Sequence, residues 1–254
     1  MIKITGLEKS FGENQVLNGV DLEVARGERT VLIGTAASGK SVLMKCAIGL
    51  YPVDGGTIEI DGQVLSELSG DERNQVFDDF GMLFQQGGLF DSLTVWENIA
   101  FKQVTRRELS REDARDLAIE KLRLVGLSPN VADLYPVSLS GGMQKRAGIA
   151  RAIAASPKVL LMDEPTAGLD PITTQIINRM IKSVVADLDA TLLAITSDME
   201  AALKHYDNLA MIHEGQIVWF GKATDAAASD DPYLAQLLHG SGEGPIQMRL
   251  RARA

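Results

Sequence analysis

Apolar and polar residues alternate with a period of two at the start of the chain: Ile2, Ile4 and Leu7, then Val20, Leu22 and Val24, with turns at Gly12 and Gly27. That period puts one side of a strand on a core and the other in water, so two strands are predicted. Thr30-Val-Leu-Ile33 is continuously apolar instead, as in a strand buried on both faces. After a loop of small residues, Val42, Leu43, Cys46, Ala47 and Leu50 recur at helical spacing. Residues 57–62 return to alternation and end in Asp61-Gly62.

From about 86 to 155 the period is helical. Ser110 is the expected N-cap of a helix carrying Ala114, Leu117, Ala118, Leu122 and Val125, closed by Gly126. A second helix starts after Ser140-Gly-Gly. The apolar runs Val159–Met162 and Thr191–Thr196 then bracket an amphipathic helix whose stripe includes Ile177, Met180, Ile181, Val184 and Val185. Leu209–His213 and Gln216–Phe220 flank Glu214-Gly215 as a hairpin. Apolar strands alternating with helices predict an α/β fold whose parallel sheet is covered on both faces. The helical block in the middle reads as an insertion into that sheet domain.

Composition narrows the function. The 254 residues carry 25 Lys+Arg against 34 Asp+Glu, a net charge of −9. An acidic chain is a poor non-specific nucleic-acid binder, so no nucleic-acid partner is expected. Cys46 is the single cysteine, which excludes a disulfide framework and a Cys-rich metal site, and His205, His213 and His239 lack metal-ligand spacing. No apolar run reaches the ~18 residues needed to span a bilayer. The opening Met1-Ile-Lys-Ile-Thr-Gly alternates like a strand and does not resemble a signal peptide, so a soluble, cytosolic chain is expected. The tail after about 236 is Gly-rich and then basic at Arg249, Arg251 and Arg253.

Gly34-Thr35-Ala36-Ala37-Ser38-Gly39-Lys40-Ser41 fits G-x-x-x-x-G-K-[ST] and lies between an apolar strand and a helix, where the motif can work. Small residues let backbone N–H groups converge on phosphate oxygens, and the helix start adds partial positive charge. Lys40 is placed to reach the β- and γ-phosphates, and the Ser41 hydroxyl to bind Mg²⁺. Val159-Leu-Leu-Met-Asp163-Glu164 puts two carboxylates at the carboxyl end of a buried strand, where open α/β sheets bind ligands. Asp163 is a candidate to hold Mg²⁺, directly or through water, and Glu164 to polarise an attacking water.

Leu139-Ser140-Gly141-Gly142-Met143-Gln144 sets a hydroxyl and bare N–H groups at a second helix start, another anion site. This segment resembles the signature motif of the ATP-binding cassette (ABC) superfamily. Gln85 in Leu83-Phe-Gln-Gln86 resembles that family's Q-loop glutamine, Ala167-Gly-Leu-Asp170 its D-loop, and Phe11 the aromatic that stacks on adenine. Order and spacing match over nearly the whole chain. The resemblance implies a RecA-like P-loop NTPase core with an antiparallel β lobe and an inserted α-helical subdomain. The core would span about 1–85 and 156–235, the helical subdomain about 86–155, and a tail 241–254 would be available for subunit contact.

The resemblance further implies an ATPase that binds ATP and Mg²⁺ and works as a head-to-tail homodimer. ATP on one chain's phosphate loop would meet Ser140, Gly141 and Gly142 of the other, with Gln144 and Asp170 nearby. Gln85 would join Mg²⁺ and γ-phosphate to the surface that docks an integral-membrane permease. Phe84–Asn98, Leu139–Arg146 and Gly168–Ile172 resemble the MlaF branch, the ATPases of Mla/Mce-type phospholipid transporters of Gram-negative envelopes. That branch implies an MlaE-like permease, an MlaD-like Mce-domain protein and an MlaB-like STAS-domain protein as partners. It places the ATPase at the cytoplasmic face of the inner membrane.

One position departs from the pattern. Ile195-Thr-Ser197-Asp198 has serine where the family's switch histidine is expected. Two readings stay open. In one, Ser197 binds phosphate through its hydroxyl or through water, and turnover is slow but real. In the other, the site is an ATP-gated clamp with little hydrolysis. A smaller departure is Ala36-Ala37, which matters only if Ala37 has to adopt a positive φ.

Overall fold

The computed structural model describes residues 1–247; the basic positions Arg249, Arg251 and Arg253 lie outside the described residues. The predicted alternation produces β1 (Ile2–Phe11) and β2 (Asn14–Val24), which pair antiparallel. β4 (Gly55–Ile60) joins the other edge of β1, and the two-residue β5 (Gln63–Val64) extends it, giving a four-stranded lobe in the order β2-β1-β4-β5. Ile2, Ile4, Leu7, Val20, Leu22 and Val24 all point into the core; a break in register between Ile4 and Leu7, at Gly6 with φ +55°, resets the alternation in β1.

The apolar runs form the second sheet. β3 (Arg29–Ile33), β6 (Phe80–Leu83), β7 (Val159–Asp163), β8 (Thr191–Ile195) and β9 (Asn208–His213) run parallel, and β10 (Gln216–Lys222) closes one edge antiparallel to β9. The order is β10-β9-β3-β8-β7-β6. Successive residues of these strands feed opposite cores. Leu32, Leu161, Leu193 and Ala210 pack toward the β lobe, with Leu43 and Met44 of α1 (Lys40–Ala47). Val31, Leu160, Leu192 and Leu209 pack toward the helices on the other side. β3, β7 and β8 are buried on both faces, which is why these three read as nearly unbroken apolar runs.

α2 (Gly70–Asp78) precedes β6, and α3 (Val95–Ile99), α4 (Phe101–Thr105), α5 (Arg111–Leu124) and α6 (Gly141–Ala152) lie between β6 and β7. α7 (Pro171–Asp187), α8 (Met199–His205), α9 (Ala223–Ala226) and α10 (Pro232–His239) complete the chain order. Ser110 caps α5 by accepting from the Asp113 N–H, as expected from sequence. Leu50 does not join the apolar stripe of α1. The helix stops at Ala47, Gly49 turns the chain with φ +69°, and Leu50 is exposed.

Candidate functional site

The turn from β3 into α1 is Gly34–Gly39. Gly39 sits at φ +107°, and a Cβ there would lie 2.8 Å from Leu17 Cδ2. A Cβ on Gly34 would run into the Ile212 carbonyl, so the loop backbone is pressed against β9. Ala37 is left-handed as well, at φ +60°, so the alanine departure does matter. It stores roughly 1–2 kcal/mol of backbone strain in the loop.

No side chain caps α1, whereas Ser140 caps α6 and Asp170 caps α7. The first N–H groups of α1 are therefore open to a ligand. The Lys40 ammonium folds over them, donating to the carbonyls of Gly34 (2.8 Å) and Thr35 (2.7 Å), with Ser38 Oγ at 3.4 Å. Burial holds Lys40 below its ordinary pKa, and the charges of Glu164 and then Asp163 act against that shift. An uncapped helix start with a retained cation is a cradle that fits a polyphosphate. Ser41 is the second residue of α1, at the mouth of this turn.

Asp163 ends β7 and is buried; Glu164 follows at φ +50°. Three elements hold Glu164. Its N–H donates to the Ile195 carbonyl (3.0 Å), its Oε2 accepts both the N–H and the hydroxyl of Ser197 (3.1 Å each), and its carbonyl accepts the Lys145 ammonium (3.1 Å). The Ser197 hydroxyl is thus committed to Glu164, a partnership the sequence did not suggest. The Lys145 ammonium also donates to the Gln85 carbonyl, while the Gln85 residue itself is exposed. Phe11 is 45% exposed on the β lobe, edge-on to Tyr51 with ring centroids 5.3 Å apart. Tyr51 was missed, since nothing in the sequence links it to Phe11.

A second group forms around the start of α6. Ser140 Oγ accepts from the Met143 N–H (3.3 Å), and a Cβ on Gly142 would lie 3.2 Å from Thr173 Cγ2 of α7. Asp170 accepts from the N–H groups of Ile172 and Thr173 (3.0 Å each) and from Thr173 Oγ1 (2.6 Å). Gln144 turns back onto its own loop, donating to the carbonyls of Pro136 (2.9 Å) and Leu139 (3.3 Å). Gly34–Ser41, Asp163, Glu164 and Ser197 thus form one group, with Gln85 joined to it through Lys145. Ser140–Gln144 and Asp170 form another, and no hydrogen bond of Ser140 or Asp170 reaches the cradle among the described residues.

Residues 17–167 match the family model described as ABC transporter. The chain belongs to the ABC transporter family. It is an ATP-binding subunit and an ATPase. The cassette is 39% identical over 247 residues to the probable ribonucleotide transport ATP-binding protein mkl of Mycobacterium leprae, covering 97% of this chain and 71% of that protein. It is 36% identical to the chloroplastic protein TRIGALACTOSYLDIACYLGLYCEROL 3 of Arabidopsis thaliana, covering 97% of this chain and 76% of that protein. A solved dimeric ATP-binding cassette in a post-hydrolysis state with ADP and Pi superposes with a TM-score of 0.80 at 30% identity, covering 88% of this chain and 99% of that one. Among the described residues, no helix of the cassette is long and apolar enough to cross a membrane.

Proposed function

We propose that the chain is the motor subunit of a phospholipid transporter of the Mla/Mce type, moving lipid between the inner and outer membranes. The observation that carries the motor reading is the uncapped start of α1 with Lys40 folded over it and Glu164 anchored alongside. In this reading Gly34–Ser41 binds the phosphates of ATP and Phe11 receives the adenine. Ser41, Asp163 and Gln85 hold Mg²⁺, which, when bound, neutralises charge on the phosphate oxygens. The hydroxyl, carboxylate and amide oxygens of these three residues would suit that hard cation. Glu164 orients and polarises the attacking water. Ser140, Gly141 and Gly142, with Gln144 and Asp170 behind them, complete the site across a homodimer.

The helical block beside Gln85 is the surface for a membrane partner. Phe84, Phe90 and Phe101 are exposed there, near a groove of about 220 Å³ lined by Phe84, Asn98, Phe101, Lys102 and Arg151. Apolar exposure of this kind marks a docking site. An MlaE-like permease fits it, which would hold the chain peripherally at the cytoplasmic face of the inner membrane. MlaD-like and MlaB-like proteins would complete the assembly, with the division into core, helical subdomain and tail given above. Lipid as cargo rests on the MlaF-like segments and is supported by likeness to a plant protein named after a galactolipid. The likeness to a probable ribonucleotide transport protein favours a second cargo, nucleotides.

Reconstituted with an MlaE-like permease, the chain is expected to drive ATP-dependent movement of labelled phospholipid between vesicles. Movement of labelled ribonucleotide with phospholipid static would reverse the assignment of cargo.

Ser197 bears on the alternative reading of a weakly hydrolysing clamp. Its hydroxyl holds the Glu164 carboxylate, so it acts on the water through that carboxylate. Removing one hydrogen bond to a charged group costs about 1.5–3 kcal/mol, so Ser197→Ala is expected to slow steady-state hydrolysis about tenfold or more. Ser197→His keeps the backbone N–H bond and adds a longer donor toward the phosphate, and a rise in phosphate release of roughly tenfold is expected. A fall in the histidine variant would refute the view that this site lacks a phosphate donor.

A further inference from the structure

We propose that Lys145 is a positioning residue for hydrolysis: its buried ammonium pins the backbones of Gln85 and Glu164 to the helix that carries Ser140 at its tip. The inference rests on the hydrolytic role assigned to Glu164 above.

Lys145 is 8% exposed and shares the buried face of α6 with Gly148, Ile149 and Ala152. A cation in such a place needs compensation. Among the described residues it has no carboxylate partner; its acceptors are the carbonyls of Gln85 and Glu164. Burial draws its pKa down, and the nearby charges of Glu164 and then Asp163 oppose this.

The same helix grips the turn after Gln85 at a second point. Arg151 donates to the Gly88 carbonyl, and its guanidinium lies 4.8 Å from the Phe90 ring centroid. Between the two cations, a Cβ on Gly148 would lie 2.7 Å from the Gly87 carbonyl oxygen, so helix and turn touch backbone to backbone. Arg151 reaches the turn and the Phe90 and Phe101 rings, but not Glu164. Lys145 also reaches across to the residue after β7, and so ties the helical block to the sheet.

Glu164 depends on this tie because its backbone is left-handed at φ +50°, which an L residue adopts only where its surroundings impose it. With the ammonium gone, the Glu164 carbonyl keeps only the Ala167 N–H (3.3 Å), a local turn contact that does not reach the helical block. The carboxylate stays bonded to Ser197 and the N–H to the Ile195 carbonyl, but the left-handed backbone loses its one tie to the helical block. Phosphate binding at Gly34–Ser41 does not use these contacts.

The test compares full-length wild type, Lys145→Met, Lys145→Gln and Glu164→Gln by steady-state phosphate release, ATP-analogue affinity and melting temperature. Methionine keeps length and apolar stem without a donor; glutamine restores N–H donors without charge. Lys145→Met is expected to lower kcat by about 10–100-fold with KM and analogue affinity within about twofold, as outer groups that orient a reacting centre do. Lys145→Gln should recover part of the loss. If Lys145→Met lacks a cooperative melt, Lys145→Gln carries the test, with a kcat fall of at least about threefold at unchanged KM expected.

Wild-type turnover in Lys145→Met would overturn the inference. So would loss of affinity in step with kcat, or no recovery in glutamine. Glu164→Gln separates the two claims. If it abolishes turnover while Lys145→Met does not, only the role of Lys145 fails; if it retains turnover, the hydrolytic role of Glu164 fails and the inference with it.

Discussion

Glu164→Gln is expected to lower steady-state ATP hydrolysis by about two to three orders of magnitude while leaving ATP affinity nearly unchanged. The exchange is nearly isosteric. Its backbone anchors, to the Ile195 carbonyl and from the Lys145 ammonium, do not involve the side chain. The Ser197 N–H and hydroxyl, now on Glu164 Oε2, can bond an amide oxygen in the same place. What disappears is the negative charge and the basicity that polarise a water, so the loss falls on kcat rather than on folding or binding. Phosphate release measures the first quantity and nucleotide titration the second. In the proposed homodimer the variant should also accumulate as an ATP-bound dimer, seen as a nucleotide-dependent shift in size on gel filtration. Turnover within about fivefold of wild type would remove Glu164 from the chemistry.

Most of the architecture was legible because burial in this fold follows simple periods. β3, β7 and β8 are buried on both faces, and an unbroken apolar run can hardly be anything else once short and flanked by loops. β1 and β2 have one wet face and announce it by alternation. α2 was missed because it buries no residue and so carries no stripe; its signal was the capping box of Ser69 and Glu72. β6 was missed because Phe80-Gly-Met-Leu83 is four residues long and interrupted by glycine.

In the candidate site, the motifs supplied positions but not their local partners. Ser140 and Asp170 look like ligand groups in sequence, and within one chain each is a helix cap. The bond from Ser197 to Glu164 joins residues far apart in sequence, and no spacing rule encodes it. Lys145 lay inside a quoted motif and passed unremarked. Its signal was a charged residue on the buried face of a helix otherwise lined by glycine, alanine and isoleucine, which a helical period exposes once the face is drawn.

The half-buried lysine of the phosphate loop, Lys40, should fail differently when replaced. Lys40→Met is expected to weaken ATP binding by about 10–100-fold, the effect of losing a charge-assisted contact worth roughly 1.5–3 kcal/mol. Without nucleotide the ammonium rests on two neutral carbonyls, Gly34 and Thr35, and its burial already disfavours the charge. Methionine removes that desolvation cost and leaves carbonyls at the edge of an open turn, which water can satisfy. Stability of the free protein should therefore change by less than about 1 kcal/mol. Ligand-induced stabilisation should change far more. ATP at about a hundred times the wild-type Kd contributes about 2.7 kcal/mol, and the same concentration contributes about 0.4 kcal/mol if Kd rises a hundredfold. For a domain of this size that is the difference between a melting shift of roughly 5–10 °C and one of roughly 1 °C. Lys145→Met should keep the full shift and lose turnover, whereas Lys40→Met should lose the shift itself. A Lys40→Met protein that still melts with the wild-type ATP shift would show that the phosphates do not rest on the Gly34–Ser41 loop, and the site would have to be sought elsewhere on the chain.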